Sequence, residues 1–155
     1  MVIVKPPIYF HFIVPLFYFP HRGLIKTFLL SIFKKHNKTV QALNYIFCSN
    51  KYLLSLNQKH LQHDYYTDII TFDLSENKRT VAGEIYVSVD RIRENARTLG
   101  VKMSEELHRV IFHGALHLCG FNDKSKGEKV KMTQEEDRNL FRYFSNVPRI
   151  PSTPH

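Results

Sequence analysis

Apolar residues along the chain follow two spacings, and these spacings predict its secondary structure. Alternating apolar and polar residues, together with short aromatic and β-branched runs, predict strands. Apolar residues that recur every three or four positions predict helices. The predicted strands are Ile8–Val14, Val40–Cys48, Thr67–Leu74 and Glu84–Val89. The predicted helices cover about 24–33, 50–60, 89–99, 104 to just before Gly120, and 126–144.

Turn and cap residues divide these elements. The polar residues 76–79 join the last two strands into a predicted hairpin, and Gly100 closes the third helix. Asn50 and Ser104 are predicted N-caps. The order of elements predicts an α+β fold, with a small mixed four-stranded sheet packed with about five helices. We expect one domain over residues 1–146 and a flexible C-terminal tail over 147–155.

The apolar run from Ile8 to Phe19 needs to be distinguished from a membrane span or signal peptide. It has 12 residues and contains His11 and Pro15, whereas a spanning helix needs about 20. We therefore predict a strand here and a cytoplasmic protein with no membrane partner. The two cysteines, Cys48 and Cys119, do not form a disulfide framework. They are interpreted as small buried hydrophobes in a reducing compartment, with no disulfide-linked partner.

The formal charge is +8, with 22 Lys and Arg residues against 14 Asp and Glu residues. Such a balance in a chain of this size favours a polyanionic partner, with nucleic acid ahead of an anionic membrane surface. The alternative is that the charge serves solubility alone. One basic group, at 124–131, directly follows the histidine motif described next.

A histidine pair gives the strongest indication of chemistry. His113 and His117 are four residues apart, so they lie on one face of a helix. Gly120 is placed for a left-handed helix end, and Asp123 follows it. Two imidazoles and a carboxylate can hold a metal with one coordination position open, and an open position distinguishes catalytic zinc sites from structural ones.

The spacing alone is common, and two helical histidines are more often satisfied core or surface residues. The buried helix, Asp123 and the glycines favour a metal site. Gly114 is unfavourable inside a helix, which indicates that something approaches closely there. Gly114 also occupies the position of the general-base glutamate in His-Glu-x-x-His proteases, so a peptidase mechanism is disfavoured.

These motifs resemble those of YbeY-type proteins, bacterial endoribonucleases that act in ribosomal-RNA maturation. Their signature is His-Gly-x-Leu-His-Leu-x-Gly-Tyr-Asp-His, and residues 113–123 here are His-Gly-Ala-Leu-His-Leu-Cys-Gly-Phe-Asn-Asp. The family's Leu-Asn and Thr-Asp-Val-Leu-Ser-Phe segments correspond to Leu56-Asn57 and residues 67–72. Its Gly-Asp-Ile strand and later methionine match residues 83–85 and Met132. The resemblance covers about 43–140.

The resemblance implies a metal-dependent, single-strand-specific endoribonuclease that matures small-subunit (16S) ribosomal RNA. Its partners would be ribosomal RNA and the small ribosomal subunit. It implies one Zn²⁺ per chain, held by His113, His117 and Asp123, with the two histidines catalytic. Asp123 stands where the family usually has histidine, and Leu61 where it has an RNA-contacting arginine. The expected RNA-binding residues are Lys124, Lys126, Lys129 and Lys59.

Two other functions remain open from the sequence. One is a non-catalytic RNA-binding ribosome-assembly factor with a structural metal, and the other is a metallohydrolase of small substrates. The positive charge disfavours the second. A general base is not evident, and Asp68 and Glu84 are candidates only if the predicted hairpin passes beneath the motif helix.

Overall fold

A computed structural model describes residues 5–15, 17–60 and 67–147. The tail from residue 148 onward and Leu61 lie outside the described residues. The described chain forms four strands and five helices in the predicted order, which confirms the α+β fold. The strands are β1 (Ile8–Phe12), β2 (Thr39–Cys48), β3 (Ile69–Asp73) and β4 (Thr80–Ser88). The helices are α1 (Arg22–Lys35), α2 (Asn50–His60), α3 (Val89–Leu99), α4 (Met103–Leu118) and α5 (Lys126–Asn146).

The strands form one mixed sheet in the order β1-β2-β4-β3. β1, β2 and β4 are parallel to one another, whereas β3 pairs antiparallel with β4 and forms an edge. The predicted hairpin is therefore present. β4 begins four residues earlier than predicted, because the small residues Ala82 and Gly83 hide the alternation there.

The apolar N-terminal run forms β1, as predicted, and it pairs with β2 from Ile8↔Leu43 to Phe12↔Phe47. Ile8 is fully buried, so this strand contributes to the main core. Within the described residues, none of the helices combines the length and apolar character needed to cross a membrane.

Helices cover both faces of the sheet. On one face, Tyr45, Phe47 and Ile85 belong to the main core with residues of α1 and α4. The fully buried Tyr45 donates its hydroxyl hydrogen to the carbonyl of Ile111 at 2.8 Å, which ties β2 to α4. On the other face, a smaller cluster contains Leu53 of α2 with Cys48 and Ile70.

α4 lies unusually close to the β3–β4 hairpin, and Gly114 makes this approach possible. A Cβ atom on Gly114 would lie 2.9 Å from Ile85 Cγ2 and 3.0 Å from Ile69 Cδ1. The close approach predicted at Gly114 is thus the sheet itself. Because this side of α4 faces the sheet, the histidines of the same helix are set toward the cleft beside β3.

Both predicted N-caps were wrong. α4 begins at Met103, and its N-cap residue Lys102 makes no side-chain capping bond. At α2 the Ser49 hydroxyl oxygen accepts the bond from the Tyr52 N–H at 3.1 Å. The Asn50 side chain is instead occupied by the Ser88 hydroxyl, which donates to it at 2.6 Å.

The predicted end of α4 is confirmed. Gly120 has φ +101°, in the left-handed region. The N–H groups of Gly120 and Phe121 donate to the carbonyls of His117 and Leu116, each at 3.0 Å. This bond pair reverses the chain after the helix, and the reversal brings the following loop back toward the histidines.

We predict that Gly114→Ala destabilises the protein, because its methyl group would collide with Ile69 and Ile85. Overpacking of this kind lowers the free energy of unfolding by about 1–3 kcal/mol, which urea denaturation would measure. Gly127→Ala is the matched control, because no atom lies within 4 Å of the added Cβ in α5. Equal stability of the two variants would contradict the close helix–sheet contact.

Candidate metal centre

Three of the predicted site residues come together at the end of α4. Within the described residues, His113, His117 and Asp123 are the group whose potential ligand atoms all lie within 4.8 Å of one another. Asp123 Oδ2 lies 3.3 Å from His113 Nε2 and 3.4 Å from His117 Nε2. The two Nε2 atoms are 2.9 Å apart.

These separations fit a tetrahedral metal. Zinc binds imidazole nitrogen and carboxylate oxygen at about 2.0–2.2 Å, so neighbouring ligand atoms in a tetrahedral site lie about 3.4 Å apart. Both distances to Asp123 match this value, and the distance between the nitrogens is somewhat shorter. Among the described residues, three side chains supply candidate ligands, and these would leave the fourth tetrahedral position of a bound ion open toward the cleft.

The other imidazole nitrogens are held by fixed acceptors. His113 Nδ1 lies 2.5 Å from Glu136 Oε2, and His117 Nδ1 lies 2.9 Å from the carbonyl oxygen of Phe121. Since both partners accept, each Nδ1 carries the proton and each Nε2 presents a lone pair. Two lone pairs 2.9 Å apart repel each other unless a cation or a proton lies between them. The arrangement is therefore one that a metal ion stabilises.

Glu136 is a functional residue that the sequence interpretation missed. It is buried on α5 and accepts a bond from Arg109 at 3.0 Å, and Arg109 also bonds Asp137 at 2.7 Å. Its signal was present in the sequence, since Glu136 lies in the buried stripe of α5 between Met132 and Leu140. A carboxylate within an apolar stripe needs a partner.

The two imidazoles differ in electrostatic surroundings. Burial favours the neutral form of His113, but the hydrogen bond and charge of Glu136, with Asp68 and Asp123, outweigh it and raise the pKa of His113. Burial lowers the pKa of His117, and the neighbouring His113 lowers it further. His113 is thus the more basic ligand, and His117 is the one that stays neutral more readily.

An open cleft of about 540 Å³ extends from the three residues along β3. The hairpin does pass beneath α4, and Asp68 lines this cleft together with His113. Burial raises the pKa of Asp68. Glu84 lies elsewhere: it alternates with Gly83 and Ile85, which face α4, and it accepts a bond from the Tyr86 hydroxyl at 2.9 Å. Of the two candidate bases, Asp68 alone belongs to the site.

A second missed carboxyl group lies behind the site. Glu106 of α4 is buried, and burial, followed by the charge of Asp68, raises its pKa to about 7. Glu106, Asp68 and Arg109 line a smaller cavity of about 280 Å³ that reaches His113. Its position seven residues before His113, two turns along the same helix, was the available signal.

The four predicted RNA-binding lysines lie at different distances from the site. Lys124 lines the main cleft, and Lys129 lines a cavity of about 250 Å³ that also contains His113 and Asp123. Lys126 is exposed at the first position of α5, and Lys59 is exposed on α2. None of these four forms an ion pair with a carboxylate of the described chain.

Most of the chain is similar to proteins of one known family. The profile of the family described as Endoribonuclease YbeY matches residues 21–143. Endoribonuclease YbeY of Cytophaga hutchinsonii is 50% identical over 119 residues, which are 77% of this chain and 83% of the relative. Endoribonuclease YbeY of Porphyromonas gingivalis is 44% identical over 119 residues, 77% of this chain and 78% of the relative.

The fold is also similar to a solved structure. The solution structure of TM1509 from Thermotoga maritima is 29% identical in sequence and gives a TM-score of 0.62, with 89% of each chain covered. The profile match at residues 21–143 covers three of the four strands, the motif helix and the loop that carries Asp123. The chain therefore belongs to the YbeY endoribonuclease family.

Proposed function

We propose that this protein is a metal-dependent endoribonuclease that cleaves single-stranded RNA during maturation of the small-subunit (16S) ribosomal RNA. The observation that carries the proposal is the convergence of two Nε2 atoms and one carboxylate oxygen at an open cleft. The names of the relatives and the net charge of +8 support RNA as the substrate. The small ribosomal subunit is the proposed partner, and the cytoplasm is the proposed location.

We assign one Zn²⁺ per chain to His113, His117 and Asp123, because two imidazoles and a carboxylate suit this ion. When bound there, the metal would act as a Lewis acid on phosphate oxygen and on water. Asp123 replaces the usual histidine of the family, and an anionic ligand makes the ion a slightly weaker Lewis acid. The histidines are proposed as catalytic through this metal.

The surrounding residues have distinct proposed roles in phosphodiester hydrolysis. Glu136 and the Phe121 carbonyl keep both Nδ1 atoms protonated, so both Nε2 atoms stay available to the metal. The Asp68 carboxylate is placed to accept the proton of the water that attacks phosphorus. Lys124 and Lys129 are placed to hold phosphate groups of the RNA backbone, with Lys126 and Lys59 further out.

A non-catalytic RNA-binding factor with a structural metal is the alternative. Structural zinc sites are closed by four protein ligands, whereas in the part of the chain that the structure describes three candidate ligands converge beside a cleft. This difference favours the enzyme.

We predict that His113→Ala abolishes both metal binding and RNA cleavage while RNA affinity stays within a few-fold. Most of the binding energy comes from lysine and arginine contacts to phosphate, which the substitution leaves in place. Metal analysis, a single-stranded RNA cleavage assay and fluorescence anisotropy measure the three properties. His11→Ala is the control. It removes an exposed hydrogen bond between His11 of β1 and Asn44 of β2. A metal-free His113→Ala protein that cleaves RNA at the wild-type rate would refute the mechanism.

Glu136→Gln is expected to weaken metal affinity by about 10- to 100-fold, because the amide orients His113 less strongly than the carboxylate does. Competition with a chromogenic chelator measures this affinity. Glu135→Gln is the matched control, since Glu135 is paired with Arg138 of the same helix and bonds neither His113 nor His117. If both variants bind metal as tightly as the wild type, Glu136 does not support the site.

RNA binding should be salt-dependent and should weaken when Lys124, Lys126 and Lys129 are changed to Glu. Neutralising phosphates releases counterions, so affinity falls steeply between about 50 and 200 mM salt. Loss of three single-strand contacts should reduce the slope of log affinity against log salt by about 2. The control is a variant in which Lys26, Lys34 and Lys35 of α1 are changed to Glu. A larger effect in the control would move the RNA path to α1.

A further inference from the structure

The edge strand β3 leaves part of its backbone unpaired within the metal-site cleft. The Ser88 N–H donates to the Asp68 carbonyl at 2.9 Å, and the Leu74 N–H donates to the Ala82 carbonyl at 2.8 Å. In an antiparallel pair, residues that bond the partner strand alternate with residues that point away from it. Ile70 and Phe72 therefore bond β4, and Ile69, Thr71 and Asp73 direct their N–H and C=O groups away from it.

Within the described residues the sheet ends at β3, so no described strand pairs with its outer side. Among the described residues, the Thr67 hydroxyl donates to the Ile69 carbonyl at 3.3 Å. No described group bonds the outward backbone groups of Thr71 or the outward N–H of Asp73. The hydroxyl oxygen of Thr71 is buried and also has no partner. A carbonyl at Thr71 and an N–H at Asp73 thus remain as a neighbouring acceptor and donor.

These unpaired groups share one cleft with the metal-binding residues. Thr71 and Asp73 line it together with His113, His117 and Asp123. Its volume of about 540 Å³ is within the usual range for small-molecule sites. A ligand bound at the metal-binding residues can therefore place a flat, polar group against the edge of β3.

We propose that the edge of β3 at Thr71 and Asp73 is a nucleobase subsite, which binds the hydrogen-bonding edge of one unpaired base next to the scissile phosphate. The inference rests on the proposed endoribonuclease function and deepens it. Every RNA base carries a donor and an acceptor side by side on its Watson–Crick edge, and single-stranded RNA exposes that edge. A base in a duplex has its edge occupied, so the subsite gives a physical reason for single-strand specificity.

An added peptide strand is the competing occupant of an exposed sheet edge. Three observations favour a base. β3 has five residues and ends at the charged Asp73, which suits strand addition poorly. Ile69, the next outward residue, already has its carbonyl occupied by Thr67. A peptide along this edge would also cover the metal-binding residues of the same cleft.

The test removes the Asp73 N–H without changing the rest of the edge. Asp73→Pro deletes this donor, and proline is tolerated on an edge strand where the N–H points outward. Asp73→Ala is the reference, because both variants lose the bond from the Ser75 N–H to the Asp73 side chain. Each protein is assayed with single-stranded oligonucleotides, either intact or with one abasic nucleotide placed at successive positions.

We expect one abasic position beside the cleavage site to lower kcat/KM by about 3- to 10-fold in the wild type and in Asp73→Ala, as for loss of a hydrogen bond. In Asp73→Pro the ratio of kcat/KM for the intact substrate to kcat/KM for the abasic substrate should fall toward one. An unchanged ratio in Asp73→Pro, or no sensitive position in the wild type, overturns the subsite while cleavage still supports the enzyme. If the wild type cleaves no RNA, the endoribonuclease proposal fails. The subsite is then tested by binding, through the ratio of Kd values for the abasic and intact oligonucleotides in each variant.

Amide hydrogen exchange on the wild type provides a readout that does not depend on the folding of any variant. An intact oligonucleotide should slow exchange at Asp73, whose N–H donates to the base, and should leave Ile70 and Phe72, which already bond β4, unchanged. Absence of protection by RNA would overturn the proposal. Protection by an extended peptide instead of RNA would show that the edge is a protein-binding strand.

Discussion

The close packing of α4 on the β3–β4 hairpin is the constraint on which the rest of the site depends. Gly114 lets the helix backbone approach Ile69 and Ile85 to a distance that a side chain would prevent. That approach sets the rotation of α4, and the rotation sets the direction of His113 and His117. The same contact brings β3 alongside the histidines, so its open edge and the metal-binding atoms share one cleft. The absence of a side chain at Gly114 thus connects the packing of the hydrophobic core to the position of the candidate metal ligands.

The orientation of the two imidazoles also depends on polar contacts to their Nδ1 atoms. Arg109 bonds Glu136, and Glu136 bonds His113, so one ring is fixed by a partly buried ion pair between α4 and α5. The other ring is fixed by the carbonyl of Phe121, which the glycine turn after α4 positions. One histidine therefore depends on long-range packing and the other on local backbone geometry. Their pKa values are shifted in opposite directions, because Glu136 outweighs burial at His113, whereas burial and the neighbouring His113 lower the pKa of His117.

Periodicity predicted the order of the elements and most of their extent, because alternation and helical spacing directly reflect burial. It could not predict that Ser49 rather than Asn50 caps α2, since the competing bond comes from Ser88, 38 residues away in the sequence. The candidate metal-binding group could be predicted from residues 113–123 because all its members are local. Glu136 was missed because its partner is reached only through the packing of α5 on α4. The open edge of β3 likewise follows from strand order, which no local pattern contains.

All three candidate metal ligands come from one stretch of 11 residues, 113–123, and this has a thermodynamic consequence. A ligand stabilises a fold only to the extent that it binds the native state more tightly than the unfolded chain. An unfolded chain keeps these three side chains within a short loop, so it retains some affinity for the ion. The native advantage must then come from ring orientation by Glu136 and Phe121. We therefore expect metal binding to raise the unfolding temperature less than a site assembled from distant segments would at equal native affinity.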